Sequence, residues 1–287
     1  MLKKIAYLIF QILNLIDSLL SIILNKSFLI YFNDFVSNKS YKKITILDKQ
    51  VKFFVPNHIT RWRVDTFYSK EPETLEWIDS FENQKNTIFW DIGANIGLYS
   101  IYNALKNFKT TTFAFEPSTS NLRVLSRNIC INNLEEKINI LPIPLSNKEN
   151  TFQLMKEGSF VEGGALNSFG ENYDFEGKIF KSKMQYKVQG TSINYLIENN
   201  ILKIPHYIKI DVDGIEHLIL EGGSKVLDND ITKSISVEIN ENFEDQYHKS
   251  LKILKNLGFK IKHKKRNENF ISHGVKFDKT YNYVFNK

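Results

Sequence analysis

Carboxylates stand at the ends of several apolar runs in this 287-residue chain, the position from which an α/β sheet offers chemistry to a ligand. The first run closes with AspIleGlyAlaAsnIleGly at 91–97. Asp91 ends the run, Gly93 allows a tight turn, and Gly97 lets backbone approach a ligand as the next helix opens. The second closes with PheAlaPheGluPro, so Glu116 occupies the tip at which an acid accepts hydrogen bonds from ribose hydroxyls. Together these residues describe an adenosine-type site. A dinucleotide fingerprint would place glycine at 95 to bring a pyrophosphate onto the helix N-terminus. This chain has Asn95, which argues against a nicotinamide cofactor, and no TyrxxxLys pair is placed as a sugar oxidoreductase would need.

A further run ends at Asp211, followed by Asp213, Glu216 and His217. A carboxylate there can remove a proton from an attacking hydroxyl, and Asp211 is best placed by topology. Asp213 and Glu216 are candidates beside it, although carboxylates at such a turn also cap the helix that follows. Asp211 with Glu238 and Asn240 would put oxygen ligands for Mg²⁺ or Ca²⁺ on adjacent strand tips. Strand-tip acids also pair with lysines such as Lys209, and no metal is expected.

The elements that must position these groups alternate. Strands are predicted over 87–92, 111–116, 138–143, 207–212 and 233–239, with helices over 95–106, 119–132 and 215–227 between them. That order implies a doubly wound, mostly parallel sheet. A helix over 246–257 stopped by Gly258, then strands over 259–263 and 281–285, suggest a closing antiparallel pair, with the basic run Lys260–Arg266 read as a solvated turn. Ahead of the sheet, 44–46 and 51–55 read as a β-hairpin, and Pro72 suits the start of a helix that caps the site. The glycine-bearing segment 158–183 interrupts the alternation and reads as a long loop placed to contact an acceptor.

Residues 5–24 are apolar apart from one stripe of Gln11, Asn14, Asp17, Ser18 and Ser21, which describes an amphipathic helix. Asp17 would cost about 2.5–3.5 kcal/mol at a bilayer centre, and no small-residue cleavage site follows Leu24. A transmembrane anchor and a cleaved signal are therefore not expected. The helix either packs on its own domain or a second subunit, or lies in a membrane interface with Lys3 and Lys4 near headgroups. The single cysteine, Cys130, allows no internal disulfide and reads as a buried packing thiol in a reducing, cytoplasmic setting, peripheral at most to the inner face of a membrane. A formal charge of +6 is spread through a chain rich in Lys, Asn and Ile. With no dense basic stripe and no AsnProProTyr or ProCys signature, nucleic acid is not an expected partner.

PheTrpAspIleGlyAlaAsnIleGlyLeuTyrSer at 89–100, PheGluPro at 115–117 and IleLysIleAspValAspGlyIleGluHis at 208–217 resemble, in that order, the FkbM family of methyltransferases, and 71–78 is similar to a stretch preceding that family's core. The resemblance spans roughly residues 60–240, departing at Asp213, where glutamate is common. It implies a Rossmann-like class I methyltransferase fold over 87–287, preceded by a helical extension at 1–40 and a hairpin with capping helix at 41–86. It also implies S-adenosyl-L-methionine as donor and O-methylation of a sugar hydroxyl in a glycan or secondary metabolite. Carried onto this chain, Asp91, Gly93, Asn95 and Gly97 shape the pocket for the methionine part and Glu116 holds the ribose. Ser118 or Asn121 assists at the helix start, and Ser146 falls where adenine is contacted. A nucleoside-binding, non-catalytic subunit of a membrane-associated assembly is the rival class.

Overall fold

The computed structural model describes residues 1–266 and 278–287. Two helices, α1 (Leu2–Leu24) and α2 (Phe28–Lys39), precede a hairpin of β1 (Tyr41–Ile46) and β2 (Lys49–Phe54), then α3 (His58–Asp65) and α4 (Pro72–Asp79). The core follows as β3 (Ile88–Ile92), α5 (Leu98–Lys106), β4 (Thr111–Phe115), α6 (Thr119–Cys130) and β5 (Ile138–Leu141). Next come β6 (Thr151–Glu157), β7 (Asn167–Phe169), β8 (Met184–Gly190), α7 (Ile193–Glu198), β9 (Tyr207–Ile210) and α8 (Glu216–Glu221). The described chain closes with β10 (Ser234–Asn240), α9 (Glu244–Asn256), β11 (Lys260–Lys265) and β12 (Thr280–Asn286).

The main sheet runs β11-β12-β10-β9-β3-β4-β5. Pairings from β5 across to β10 are parallel, and β12 is antiparallel to both β10 and β11. This is the doubly wound class I methyltransferase topology with its antiparallel C-terminal edge. The chain builds outward from β3 toward β5, then returns to β9 and builds the other way. The switch point therefore lies between β3 and β9, where ligands bind in such sheets.

Alternation along the strands assigns the faces. Ile88, Trp90 and Ile92 of β3 join Ile208 and Ile210 of β9 in one apolar cluster, with Leu196 of α7, Ile219 of α8 and Leu254 of α9. Phe89 and Tyr207 point the other way, into a cluster with Phe53 and Phe54 of the hairpin, Trp77 of α4, Ile101 of α5 and Leu125 of α6. Asp91 and Lys209 share that second face and are paired directly across the strands.

Three expectations are corrected, and of the alternatives for the first helix one is removed. The segment 158–183 is not one long loop, because β7 within it pairs with β6, and β6 pairs with β8, in a separate antiparallel sheet. Lys260–Lys265 is an edge strand on β12 and not a turn, and its lysines blunt an edge that would otherwise recruit another strand. Cys130 is exposed. It ends α6, whose buried stripe is Asn121, Val124, Leu125, Asn128 and Ile129, and falls off that face. Finally, α1 buries no residue in its own domain. The polar stretch between the two late strands lies, at 267–277, outside the described residues.

Candidate functional site

At the switch point the ends of β3 and β9 approach so closely that a Cβ on Gly93 would lie 1.8 Å from the Asp211 backbone oxygen, and Gly93 has φ 87°. Both space and conformation exclude a side chain there. Gly97 also has φ 87°, but a Cβ there would meet Leu125 Cδ1 at 2.6 Å. Its left-handed φ, more than the contact with the flexible end of Leu125, is what asks for glycine there.

Two clefts meet at Gly93. One is lined by the charged and polar side chains of Arg63, Lys70, Glu71, Tyr99, Lys209 and Asp211 with the Gly93–Ile96 turn. The other is mostly apolar, lined by Phe115, Pro117, Ile143, Met155, Phe169 and Ile215 among others. Glu116, on the residue between Phe115 and Pro117, accepts Asn95 N at 2.7 Å and Ser118 N at 2.9 Å. Burial pushes its carboxyl up to about 7 against the pull of those N–H groups.

Asp91 is buried; its Oδ2 accepts Ser100 Oγ at 2.6 Å, while Oδ1 has no partner among the described residues. Burial raises its carboxyl above the ordinary range, and Lys209 opposes the rise. Asn95 sits at φ 51° and donates Nδ2 to Gly164 O at 2.8 Å, leaving a buried, unpartnered Oδ1. Asn121 accepts Gly163 N at 2.8 Å and donates to Gly164 O, and Arg63 Nε donates to Gly163 O at 2.7 Å. The Gly163–Gly164 turn is thus strapped to α3, to α6 and to the loop after β3.

The three acids expected in catalysis separate. Asp211 lines the polar cleft, with Lys209 Nζ 2.7 Å from its Oδ2. Asp213, at φ 66°, instead accepts Leu166 N at 2.7 Å and anchors the strap, its carboxyl pushed up to about 6 by burial and by Asp211. Glu216 is buried and accepts Val212 N and Gly214 N, with Gln246 Nε2 donating as well. Its carboxyl closes its own turn and faces no cleft. His217 is buried, with Tyr173 beside its Nε2. Ser146 lines neither cleft, and its Oγ accepts Lys148 N at 3.1 Å within its own turn. Asn240 donates to Phe175 O and accepts Asn242 N, apart from the acids.

A group that sequence reasoning missed completes the polar cleft. Glu71 is hydrogen-bonded by Lys70 Nζ and, at 2.8 Å, by Tyr99 Oη. Although burial opposes ionisation, Lys70 and Lys209 hold its carboxyl at about 2. Carboxylate oxygens of Glu71, Asp211 and Glu238 lie within 4.8 Å of one another. Burial, together with Asp211 and Glu71, drives Glu238 well above the ordinary carboxylate range. Lys209, buried beneath them, is held charged by Asp211, Asp91 and Glu71 in spite of its desolvation. The two-residue alternation of IleLysIleAsp already put Lys209 and Asp211 on one face; the sequence set the helix opening at Pro72 over the site but singled out neither Lys70 nor Glu71.

The model of the methyltransferase FkbM domain matches residues 91–261, more than half of the chain. The chain belongs to the FkbM methyltransferase family. It is 35% identical over 88 residues to Methyltransferase sdnD of Sordaria araneosa, a match covering 31% of this chain and 34% of that protein, so it spans about a third of that relative's length. Among solved structures it is similar in fold to precorrin-6y C5,15-methyltransferase from Geobacter metallireducens (12% identity, 76% of this chain and 86% of that chain, TM-score 0.42). It is likewise similar to TrmK of M. capricolum, solved with S-adenosyl-homocysteine (15% identity, 74% and 67%, TM-score 0.41).

The methyl donor of this FkbM methyltransferase is S-adenosyl-L-methionine, and the residues present fit it. The apolar cleft suits a purine; Glu116, buried beside it, already accepts Asn95 N and Ser118 N and lines neither cleft. The turn at Gly93–Ile96, with unpartnered Asn95 Oδ1 at the polar cleft, suits the methionine end.

Proposed function

We propose that this FkbM methyltransferase O-methylates a sugar hydroxyl of a glycan or secondary metabolite, with Asp211 as general base. The observation that carries the reading is the polar cleft itself. Asp211 and Glu71 present acceptors; Arg63, Lys70 and Lys209 present donors. A sugar hydroxyl both donates and accepts, and neighbouring hydroxyls require such groups interleaved.

S-adenosylmethionine, when bound, supplies an electrophilic methyl group. Asp211 then receives the acceptor's hydroxyl proton on Oδ1, which no hydrogen bond engages among the described residues, while Lys209 fixes Oδ2 and keeps the carboxylate in place. Lys209 is positioned in turn by Asp91 and Asp211 on the same sheet face. Glu71 and Tyr99 orient the acceptor ring, and the Gly163–Gly164 strap excludes water that would compete for the base. Much of the acceleration then comes from holding two reactants in line.

The test is methyl transfer from labelled donor to a panel of nucleotide sugars, oligosaccharides and simple glycosides, with Asp211→Asn alongside. The expected outcome is transfer to a saccharide in the wild type and a 10²–10⁴-fold loss of kcat in the variant, the range for a lost general base, with S-adenosylhomocysteine affinity changed only a few-fold. Transfer to an amine-bearing or nucleic-acid acceptor in preference to saccharides would overturn the proposal.

A further inference from the structure

The first two helices present a surface that the catalytic domain does not use. α1 buries no residue, and large apolar side chains are exposed all along it; Leu15 is 64% exposed, Ile22 82% and Ile23 77%. Tyr7, Leu8, Ile9 and Phe10 are all exposed. Four consecutive helical residues step by about 100° each, so apolar side chains encircle the first turns of α1, and further on they cover all but a narrow stripe of Gln11, Asn14, Asp17, Ser18 and Ser21. A second protein chain would cover one face of such a helix; hydrocarbon covers the whole apolar arc.

The obstacle in the sequence was Asp17, a charge in the body of an apolar helix. In the folded chain it is not alone. Asp17 Oδ1 accepts Phe28 N at 2.7 Å and Leu29 N at 3.2 Å, and Oδ2 accepts Ser27 Oγ at 2.8 Å. The carboxylate satisfies the otherwise unpaired first N–H groups of α2 and lies at the positive end of that helix. Each of two groups costly in hydrocarbon is thereby the partner of the other. α2 presents its own apolar side chains outward, with Ile30 65% and Phe35 69% exposed. At 23 residues α1 is about 34 Å long, against a hydrocarbon core of about 30 Å; α2 is too short to cross alone. Lys3, Lys4, Lys26 and Lys39 flank the apolar stretches, against Asp17 and Asp34 within them.

We infer that α1 and α2 insert together, as a hairpin closed by Asp17, into an anionic lipid bilayer, which brings the methyl-transfer site to a membrane surface. The inference stands independently of the acceptor's identity.

The test uses the full chain with vesicles of phosphatidylcholine alone and with phosphatidylglycerol, in flotation and with an environment-sensitive dye on Phe35→Cys in a Cys130→Ser background. The expected result is flotation stronger on the anionic vesicles, resistant to 1 M salt once bound, and a blue-shifted dye. Leu8→Ser with Leu15→Ser and Leu19→Ser should abolish flotation while leaving S-adenosylhomocysteine affinity unchanged. Asp17→Leu, more hydrophobic, should still float but lose the dye shift, because α2 is released to water. Failure of the wild type to float, or a vesicle-free dimer whose dye is already buried, overturns the inference in favour of pairing between copies. A dye shift that survives Asp17→Leu overturns the hairpin.

Discussion

With the cofactor's ribose on Glu116, as the sequence resemblance implies, the protonation of this residue would link solution conditions to cofactor affinity. Its carboxyl is pushed up to about 7 by burial, so it is largely a carboxylic acid below that pH and a carboxylate above it. Only the carboxylate accepts from both ribose hydroxyls while keeping Asn95 N and Ser118 N. S-adenosylhomocysteine affinity, measured calorimetrically, should therefore rise between pH 6 and 8. Glu116→Gln should bind more weakly, by ten-fold or more, and lose that dependence; a slope retained in the variant would assign it to another group. Gly93→Ala tests the neighbouring turn. Its Cβ would overlap the Asp211 backbone oxygen, so a loss of roughly 3 kcal/mol or more in denaturant stability is expected. At Glu71, Asp211 and Glu238 the ammonium groups of Lys70 and Lys209 already supply positive charge, so activity is expected to survive EDTA. A loss restored by Mg²⁺ would show that the lysines do not suffice. Residues at strand tips were legible because period and position single them out. Lys70 and Glu71 were not, because a loop before α4 carries no period and only the folded packing of α4 beside β3 brings them to the cleft.

Among the elements, the parallel core was legible to within a few residues because each strand is a short apolar run followed by a helix with its own stripe. β6 and β8 were not predicted. Thr151–Glu157 does not alternate, but Met184–Gly190 does, with Tyr186 and Val188 turned inward between exposed Gln185, Lys187 and Gln189, a strand signal that sequence reasoning passed over. α8 ends after six residues at the pair Gly222–Gly223, a helix-breaking signal that the predicted span 215–227 ran through. The strap between β6 and β7 makes its own prediction. Asp213 holds Leu166 N, and Asn121 holds Gly163 and Gly164. Asp213→Ala should free the Leu166 amide to exchange with solvent and raise the acceptor KM several-fold. Asp213→Asn, which keeps an accepting oxygen, should largely restore both. Equal loss of kcat in the two variants, without faster exchange, would return Asp213 to the chemistry.

Across the whole molecule, burial raises the carboxyls of several acids around the switch point, and they set how stability depends on pH. Glu116 and Glu216 are each pushed up by burial from the unfolded value of 4.5 to about 7. Folding therefore favours their neutral forms. The stability they contribute is complete below about pH 4.5 and is lost as pH rises through 7, of order 3 kcal/mol for each. His217 acts in the opposite sense. Burial lowers it to about 4, so its neutral form is favoured and its contribution grows as pH rises from 4 toward its unfolded value of 6.5. Glu71, held at about 2 by Lys70 and Lys209 against its burial, contributes fully above pH 4.5 and is constant through the window. Two acids, joined by Asp213 with its carboxyl near 6, outweigh one histidine. The thermal midpoint of the cofactor-free protein should thus fall between pH 5 and 8, and the fall should be shallower in Glu216→Gln. Saturating S-adenosylhomocysteine should reverse part of it, because the ligand engages Glu116 as the carboxylate and its binding free energy grows over the same range. A midpoint that rises steadily to pH 8 without ligand would mean these acids are ionised in the folded chain, with the N–H groups around them outweighing their burial.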